Sequence, residues 1–483
     1  MSRINTNVSA LQSIRHLINS QADLTTSLER LSSGLRINRG ADDPAGLIAS
    51  ESLRSEMRGL NAAIDNSTRA VNVISTADGA LAEVSKMLLE IKGLIDTSSN
   101  SGALSDDEIA ANQLQVDSLL ESINRVANST QFNGKKLLNG GLGYTINGLS
   151  TADIGRLQVF GARVPAGGTQ SVTVQVTQSA QTAAITIGTG GATGISSSGH
   201  LEQANDVTLE IRGSLGTEIF TFTGSSTMAS IATTVANFKT LTGVSATASA
   251  GGISFNSTEY GSDEFVSVRA ISGTFTVVQG DQGDYEDRGR DAAVMFNGQA
   301  ANVDGLVARI RSNGLDIVAE LTQKLGTQIL STNFDITGGG ANFQIGPEVN
   351  SDGLVSIGIP SIVTSNLGNS INGYLNSLGS GGANQITDIN NHPNAEKIIG
   401  EAIGQISILS GRLGGFQANQ VDTNLNSLRT ALENVTASES AIRDTDYAVE
   451  VSRLTRAQII LQSTTQMLGI ANQAPQIVLS LLG

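Results

Sequence analysis

The chain has 483 residues, which is enough for several domains, and it carries a formal net charge of −15. This charge argues against nucleic-acid binding, because neutralising phosphates requires clustered Lys and Arg. The absence of cysteine excludes disulfides, thiolate nucleophiles and Cys-ligated metals. Aromatic residues make up 4% of the chain, whereas an enzyme core usually buries more aromatic surface.

The N-terminal segment carries an apolar stripe that predicts a long helix without a core of its own. The stripe consists of Ile4, Val8, Leu11 and Ile18, followed by Leu24, Leu28, Leu31 and Leu35. A helix over about 4–35 would be roughly 45 Å long at ~1.5 Å per residue. Such an arm must pack against another arm, and we expect it to contact other molecules as well.

The Asp42-Asp43-Pro44 motif follows this arm, and it is either an acid/base or metal pair or the boundary between two helices. Asp is a preferred N-cap residue, and Pro fits the first helical position because its missing N–H is not needed there. Gly34 and Gly40 end the preceding helix and loosen the link. We therefore interpret Asp43 as a helix cap, Pro44 as the first helical residue and Gly40 as part of a hinge.

Arginines cluster on both sides of this boundary. They are Arg30, Arg36, Arg39, Arg54 and Arg58. They form either a solvated helix face or a set of partners for acids of a neighbouring molecule, such as Glu439, Asp444 and Asp446, and the sequence does not choose between the two.

Heptad spacing predicts a helical bundle built from both parts of the chain. Core positions alternate in steps of four and three over 53–88, and the spacing recurs over 109–126, 406–416 and 425–435. Such seams wind helices around partners with a left-handed supercoil. Helices from both chain ends would therefore share one bundle.

The middle of the chain, about 140–385, is rich in Gly, Ser, Thr and Ala and predicts β structure. Short alternating runs at 171–176, 206–213, 218–224 and 264–271 have the pattern of strands. The run "MASIATTVANFKTL" between two of them predicts a short helix in a β-α-β module. Residues 156–176 and 342–359 look alike, and we expect each to form a hairpin flanking the module.

The C-terminal segment carries a stripe of Val451, Leu454, Leu461 and Leu468, and residues 457–483 contain no charged side chain. A membrane helix is disfavoured there, because its Gln, Asn, Ser and Thr side chains would lie unpaired in lipid.

No constellation for catalysis or metal binding is visible. His16, His200 and His392 lack metal-binding helical spacing, and "GTGGATG" (188–194) lacks the Lys-Ser/Thr ending of a phosphate loop. The sequence therefore predicts neither an enzyme nor a cofactor.

Several stretches resemble bacterial flagellins closely. They are residues 1–63, "STQFNGKKLLNG" (129–140), "LGGFQANQVDTNLNSL" (413–428) and residues 439–482. The similarity covers roughly residues 1–178 and 386–483, in the order typical of the family.

The resemblance implies an α+β multidomain fold with long terminal coiled-coil helices, a helical bundle with β-hairpins, and a β-rich inserted variable domain. Residues 1–44 and 441–483 would be arms lining the filament channel. Residues 45–178 and 331–440 would form the outer tube, and 179–330 would face solvent. The uncharged segment 457–483 would suit a helix that packs on one side and faces a wet channel on the other.

The implied function is a structural subunit that polymerises into the hollow, extracellular flagellar filament used for swimming. The implied partners are other copies of the chain, an export chaperone, the flagellar type III export apparatus, and the filament cap and junction proteins. The alternatives are a hook–filament junction protein, or a secreted adhesin whose middle domain binds glycans on helical stalks. Deleting residues 180–330 would separate these, because an adhesin would lose its activity and a filament subunit would still polymerise.

Residues 80–97 are similar to the flagellin segment that the vertebrate Toll-like flagellin receptor detects. The positions concerned are Leu88, Glu90, Lys92 and Leu94. Stimulatory flagellins have Arg where this chain has Glu90, while Lys92 keeps the next basic position. A charge reversal at a recognition residue predicts weak receptor recognition; alternatively, Glu90 is only a solvated position.

Overall fold

The computed structural model describes residues 6–100, 102–164, 168–188, 201, 206–249, 252–273, 285–312 and 314–482, with backbone alone for 474–482. The chain divides into two units. Unit 1 contains Met1–Arg69, Gln344–Leu354 and Gln420–Gly483, and unit 2 contains Ala70–Phe343 and Val355–Asn419.

The described chain has long helices toward both ends, as the heptad spacing predicts, and three short helices in the middle. In chain order, the helices are α1 (Val8–Ser33), α2 (Pro44–Ser98), α3 (Asp106–Ser129), α4 (Met228–Asn237), α5 (Lys239–Thr242), α6 (Gln323–Gly326), α7 (His392–Phe416), α8 (Thr423–Arg443) and α9 (Tyr447–Leu482). A π-helical segment, Gln417–Asp422, follows α7, and 3₁₀ turns cover Leu375–Leu378 and Ile389–Asn391.

The middle of the chain is built from short strands. They are β1 (Gln131–Phe132), β2 (Lys135–Lys136), β3 (Tyr144–Asn147), β4 (Ile154–Ala162), β5 (Gln170–Gln178), β6 (Ala184–Gly188), β7 (Val207–Gly213), β8 (Thr217–Phe222), β9 (Val244–Ser249), β10 (Gly252–Ser257), β11 (Phe265–Ser272), β12 (Glu286–Arg288), β13 (Ala293–Phe296), β14 (Gln299–Ala300), β15 (Asn302–Asp304), β16 (Val307–Ser312), β17 (Leu315–Leu321), β18 (Ser331–Gly339), β19 (Ala341–Gln344), β20 (Leu354–Ile357), β21 (Gly368–Asn369) and β22 (Gly373–Tyr374). The predicted α+β fold, with helical ends and a β-rich middle, is confirmed.

In unit 1, the N-terminal part of α2 packs against α8. Leu60, Ala63 and Leu428 are buried together, and Ile64 and Leu432 pack against them in part. These apolar residues recur at heptad-like spacing, so the predicted seam is the face that the two helices bury.

In unit 2, the C-terminal part of α2 contributes a second buried face, with Ile74, Leu81 and Leu88 almost fully buried. Polar contacts join this part of α2 to α7. The Ser410 hydroxyl donates to Asp78 Oδ1 at 2.5 Å, and Asp78 lies between the buried residues Ile74 and Leu81 of α2.

Two β cores occupy the middle of unit 2. The sheets β14-β13-β5-β18-β3 and β15-β16-β17-β4 share one buried cluster that includes Val174, Phe296 and Ile317. The sheets β12-β11-β7-β8 and β6-β10-β9 bury a second cluster with α4, which includes Ile231 and Phe255. Helix α4 lies where the sequence predicts the helix of a β-α-β module.

The expected hairpin over 156–176 is wrong. Strand β4 pairs with β17, whereas β5 pairs with β13 and β18, so the two strands lie in different sheets. Alternation of apolar residues predicts that a segment is a strand, but it does not select the partner of that strand.

Candidate assembly surface on the terminal helices

The two chain ends pack against each other as helices α1 and α9. At one end of the pair, Asn7 Nδ2 donates to the Ala471 carbonyl at 2.6 Å. Toward the other end, the Tyr447 hydroxyl lies 3.5 Å from the Leu31 carbonyl. Contacts at both ends show that the helices run antiparallel along their length. The sequence predicts two striped arms, and the structure makes them partners within one chain.

A buried carboxylate fixes the alignment of this pair. Glu450 is only 3% exposed. Its Oε1 accepts a hydrogen bond of 2.7 Å from the Ser27 hydroxyl, and its Oε2 lies 3.3 Å from Arg453 Nη1 and 3.9 Å from Arg30 Nη1. A buried charge is tolerated only where such partners surround it, and a shift of either helix would remove Ser27 and Arg30 from Glu450.

Small side chains, rather than the large apolar ones, fill the contact between α1 and α9. Ala10, Ser20, Ser27 and Ala457 are the buried residues of this pair besides Glu450 in the part of it whose side chains are described. Small residues let two helices approach closely, as they do where helices associate without a large hydrophobic contribution. The spacing of large apolar residues does not mark small residues such as Ala and Ser, so the sequence did not identify these contact residues.

Many large apolar side chains of the pair nevertheless remain exposed. Those between 40% and 63% exposed are Val8, Leu11, Ile14, Ile18 and Leu28 on α1, and Val449, Val451, Ile459, Ile460, Met467 and Ile470 on α9. A soluble monomer rarely exposes so many on adjacent helices, and such surfaces mark interaction sites. This uncovered apolar surface is the candidate assembly surface.

The leucines predicted as assembly seams occupy an intermediate environment. Leu24, Leu31, Leu35, Leu454, Leu461 and Leu468 are partly buried, and Leu28 is 50% exposed. Each retains apolar surface that a second molecule could cover.

The junction between α1 and α2 contains two local hydrogen-bond motifs. Asp43 Oδ1 accepts from the Gly46 N–H at 2.9 Å, and Pro44 is the first residue of α2. This is the geometry of an N-cap. Gly34 ends α1 with φ +76° and donates its N–H to the Arg30 carbonyl, a conformation that favours glycine. Gly40 lies in the turn between the helices.

Asp42 has a separate role that the sequence did not distinguish from that of Asp43. Its Oδ2 accepts from the backbone N–H of Arg39 at 2.8 Å and of Asn38 at 3.0 Å. The hydrogen bond from Arg39, followed by that from Asn38, holds the pKa of Asp42 below its ordinary value. The carboxylate thus closes the turn that precedes α2.

Backbone pairing ties the N-terminal junction to the start of α9. Arg36 N–H donates to the Arg443 carbonyl at 2.7 Å, and Thr445 N–H donates to the Gly34 carbonyl at 2.9 Å. The segment after α1 and the segment before α9 are therefore held together where the two helices meet. These hydrogen bonds join residues about 400 positions apart in the chain, so no local sequence pattern predicts them.

Two of the junction arginines, Arg39 and Arg54, pair with acids of the same chain. Arg39 forms a bidentate pair with Glu29 at 2.8 and 3.0 Å, and Arg54 lies 2.7 Å from Glu51. Two of the acids suggested as partners in a neighbouring molecule have local roles instead. Asp444 accepts from the Ser440 hydroxyl, and Asp446 caps α9 through the N–H groups of Ala448 and Val449.

Replacing Asp43 by Ala should lower the free energy of unfolding by about 1 kcal/mol, because the Gly46 N–H loses its acceptor. Thermal unfolding of the monomer, followed by circular dichroism at 222 nm, measures the change. Asp43→Asn should retain most of the stability. Asp65→Ala, an exposed position within α2, is the matched control. Equal melting temperatures for the Asp43→Ala and Asp65→Ala variants would show that capping by Asp43 contributes nothing.

The segment similar to the receptor-detected region lies on α2 in unit 2. Leu88 is buried, Glu90 is exposed and Leu94 is partly buried. Lys92 Nζ lies 2.8 Å from Glu396 Oε1, and this hydrogen bond raises the pKa of Lys92. Glu90 is thus the most accessible of the four side chains.

Among the described residues, no group of three or more His, Asp or Glu side chains is arranged to hold a metal ion. No helix within the same residues is long and apolar enough to cross a membrane.

Comparison with known proteins identifies the family. Residues 4–141 match the bacterial flagellin N-terminal helical region, and 397–482 match the C-terminal helical region. A flagellin of Salmonella muenchen is 30% identical over 520 residues, covering 99% of each chain. Polar flagellin F of Vibrio parahaemolyticus is 29% identical over 482 residues and 99% of each chain. A Clostridium tyrobutyricum flagellin is 29% identical over 98% of this chain and 100% of its own.

Solved structures give a weaker likeness. The FliC structure from Burkholderia pseudomallei covers 72% of this chain and 98% of that chain, with 15% identity and a TM-score of 0.25, which is too low to bear on function. The sequence relatives match nearly end to end. The chain therefore belongs to the bacterial flagellins, the structural subunits of the extracellular flagellar filament.

Proposed function

We propose that the paired helices α1 and α9 hold the filament together, with residues 1–44 and 441–483 lining its channel. The observation that supports this is the row of large apolar side chains that the pair leaves exposed, from Val8 to Leu28 and from Val449 to Ile470. Burial of these side chains between subunits would provide the main favourable free energy of assembly. Seeded growth of full-length and trimmed chains, followed by electron microscopy, tests the proposal.

The composition of α9 fits a helix with two different surroundings. Residues 457–483 carry no charge but contain many amide and hydroxyl side chains. Thr464 and Thr465 donate their hydroxyls to carbonyls of their own helix, at 2.7 Å in each case. A helix of this kind can pack its leucines against neighbours and present neutral polar groups to a water-filled channel.

For the remainder of the chain, the proposal assigns residues 45–178 and 331–440 to the outer tube and 179–330 to the solvent-facing domain. The sheet pairing favours a narrower inserted module, because β13, β16 and β17 share a core with β4 and β5. Gln181 and Arg290 exchange backbone hydrogen bonds of 2.8 and 2.9 Å, where the chain leaves this core and returns to it. The module inserted at that point is 182–288.

Deleting residues 182–288 should leave a chain that still polymerises. The deletion joins Gln181 to Gly289, which directly precedes the backbone partner of Gln181, Arg290, and it removes a module with its own buried core. Electron microscopy after addition of filament seeds measures the outcome. Deletion of 180–330 is the comparison, because it also removes β13, β16 and β17 and should destabilise the remaining sheets. Failure of the 182–288 deletion to polymerise, although folded, would place assembly contacts in the module.

The resemblance to flagellins also supports an export chaperone, the type III export apparatus, and the cap and junction proteins as partners. A chain without cysteine and with 4% aromatic residues suits passage in an unfolded state. Secretion by a flagellated host that lacks its own flagellin tests this part, and retention of the chain inside the cell would contradict it.

We further propose weak recognition by the vertebrate Toll-like flagellin receptor, since Glu90 places a negative charge on the accessible face of the segment. Glu90→Arg should raise the response of reporter cells at least tenfold, because a like-charge contact would become a favourable one. Glu83→Arg is the control, because Glu83 is an exposed position about two helical turns before Glu90 on α2. A full response to the unmodified chain would refute the proposal.

A further inference from the structure

A cleft with a volume of about 1,090 Å³ lies in unit 2, between α7 and the sheet β15-β16-β17-β4. Arg156 and Gln158 of β4 and Glu320 of β17 line it from the sheet. Glu401 and Gln405 line it from α7. This volume is at the upper end of the range for small-molecule sites.

The cleft exists because one face of the sheet is polar. Ile317, Ala319 and Val159 alternate into the β core, so that Glu320 and Gln158 fall on the opposite face, toward α7. A sheet face covered by a helix is normally apolar and filled. Here the charged and amide side chains prevent such packing, and an open space remains.

Two charged groups in the cleft have incomplete partners. Glu320 is 5% exposed, and its Oε1 accepts from the N–H and the hydroxyl of Ser370 at 3.2 and 3.1 Å. Among the described residues, nothing donates to its Oε2. Arg156 donates through Nη1 to the Gly368 carbonyl, and no hydrogen bond from its other nitrogens reaches a described residue.

These two residues are register partners across β4 and β17. Burial lowers the pKa of Arg156 and raises that of Glu320, and the opposite charge of the other residue works against each shift without cancelling it. No side-chain atom of Glu320 or Arg156 is both fully enclosed and without a partner among the described residues, so their free atoms are open to the cleft, where a ligand can reach them. A ligand that supplies both a donor and an acceptor would satisfy them.

The remaining charges in the cleft are balanced. Lys397 pairs with Glu259 at 2.9 Å, and Arg412 pairs with Asp316 while its guanidinium lies 3.9 Å from the centre of the Phe160 ring. Six lining charges have no ion pair among the described residues. The positive ones are Arg156, Arg309 and Lys239, and the negative ones are Asp304, Glu320 and Glu401. Three positive and three negative charges cancel, so a ligand with net charge gains no general attraction.

The chemistry that matches is a neutral molecule with many hydroxyl groups. Hydroxyls both donate to carboxylates and accept from guanidinium and amide groups, and Gln158, Asn369 and Thr258 add further partners of both kinds. Ile371 and Ile408 add apolar surface for C–H groups. We propose that this cleft binds a neutral oligosaccharide.

Titration of the full-length monomer with maltotriose, cellotriose, mannotriose and chitotriose tests the proposal, with saturation-transfer NMR and calorimetry as readouts. At least one trisaccharide should bind. Glu320→Gln should weaken binding at least tenfold, because the amide cannot accept at the former Oε2. Ile408→Trp should abolish binding by filling the cleft from its partly exposed rim.

Glu83→Gln and Ile48→Trp, both at exposed positions outside the cleft, are the matched controls and should bind as the unmodified chain does. Circular dichroism checks that each variant folds. If Glu320→Gln does not fold, the result for Ile408→Trp decides whether the proposal stands. The proposal is overturned if no trisaccharide binds, if binding survives Ile408→Trp, or if free glycine or glutamate saturates the cleft and sugars do not. The assay uses monomers, so its result is independent of the assembly proposal.

Discussion

Removal of residues 1–40 and 445–483 should abolish filament growth and leave the rest of the chain folded. The trimmed chain lacks α1 and α9, and with them the exposed apolar side chains of the candidate assembly surface. Burying even four of those side chains between subunits would contribute about 6–12 kcal/mol.

Either single truncation should be nearly as damaging as the double one, because each helix supports the other. Without residues 1–40, Glu450 loses Ser27 and Arg30 and retains only Arg453 of its present partners. Without 445–483, the small residues of α1 that contact α9 become exposed. A helix that loses its packing partner retains little stability of its own in water.

Electron microscopy of monomer mixed with short filament seeds measures the growth, and circular dichroism with thermal melting measures the fold. The full chain should extend the seeds into hollow tubes. The trimmed chain should stay monomeric and still show a cooperative transition, since the buried clusters of unit 2 are untouched. Growth of the trimmed chain would refute the assignment of assembly to the arms. A full chain that never extends seeds would favour the junction-protein alternative.

The helices of this fold could be predicted from the sequence because their signal is local. Apolar residues at steps of three and four define a face, and Asp43-Pro44 defines the start of α2. The sheets could not be predicted in the same way. β4 and β17 are more than a hundred residues apart in the chain, as their register of Leu315 with Ala162 shows, and alternation alone does not identify such partners.

The candidate assembly surface was predicted only in part, for a related reason. The stripes predict apolar faces on α1 and α9, but they do not show what covers each face. The contact within the chain uses Ser20, Ser27 and Ala457, which no hydrophobic pattern selects. Glu450 resembles any surface acid in the sequence, and only the structure shows that it is buried between the helices.

Ile18→Asp should raise the monomer concentration needed for elongation at least ~100-fold, while leaving the monomer intact. Ile18 is 62% exposed, so an aspartate there remains solvated in the free chain and changes its stability by about 0.5 kcal/mol or less. In the filament the same position would be covered by another subunit. Burial of an unpaired carboxylate costs several kcal/mol, and about 2.8 kcal/mol corresponds to a hundredfold change in an equilibrium constant.

Ile219→Asp is the matched control, because Ile219 is 60% exposed on β8 of the inserted module. The two variants make the same chemical change at nearly equal exposure in the monomer, so stability and solubility effects should cancel in the comparison. Sedimentation of seeded samples over a concentration series gives the residual monomer for each. A hundredfold difference would locate the covered surface on α1 and the free surface on the module. Equal concentrations would mean that Ile18 stays in solvent after assembly, and the apolar face of α1 would then need a partner other than a second copy of this chain.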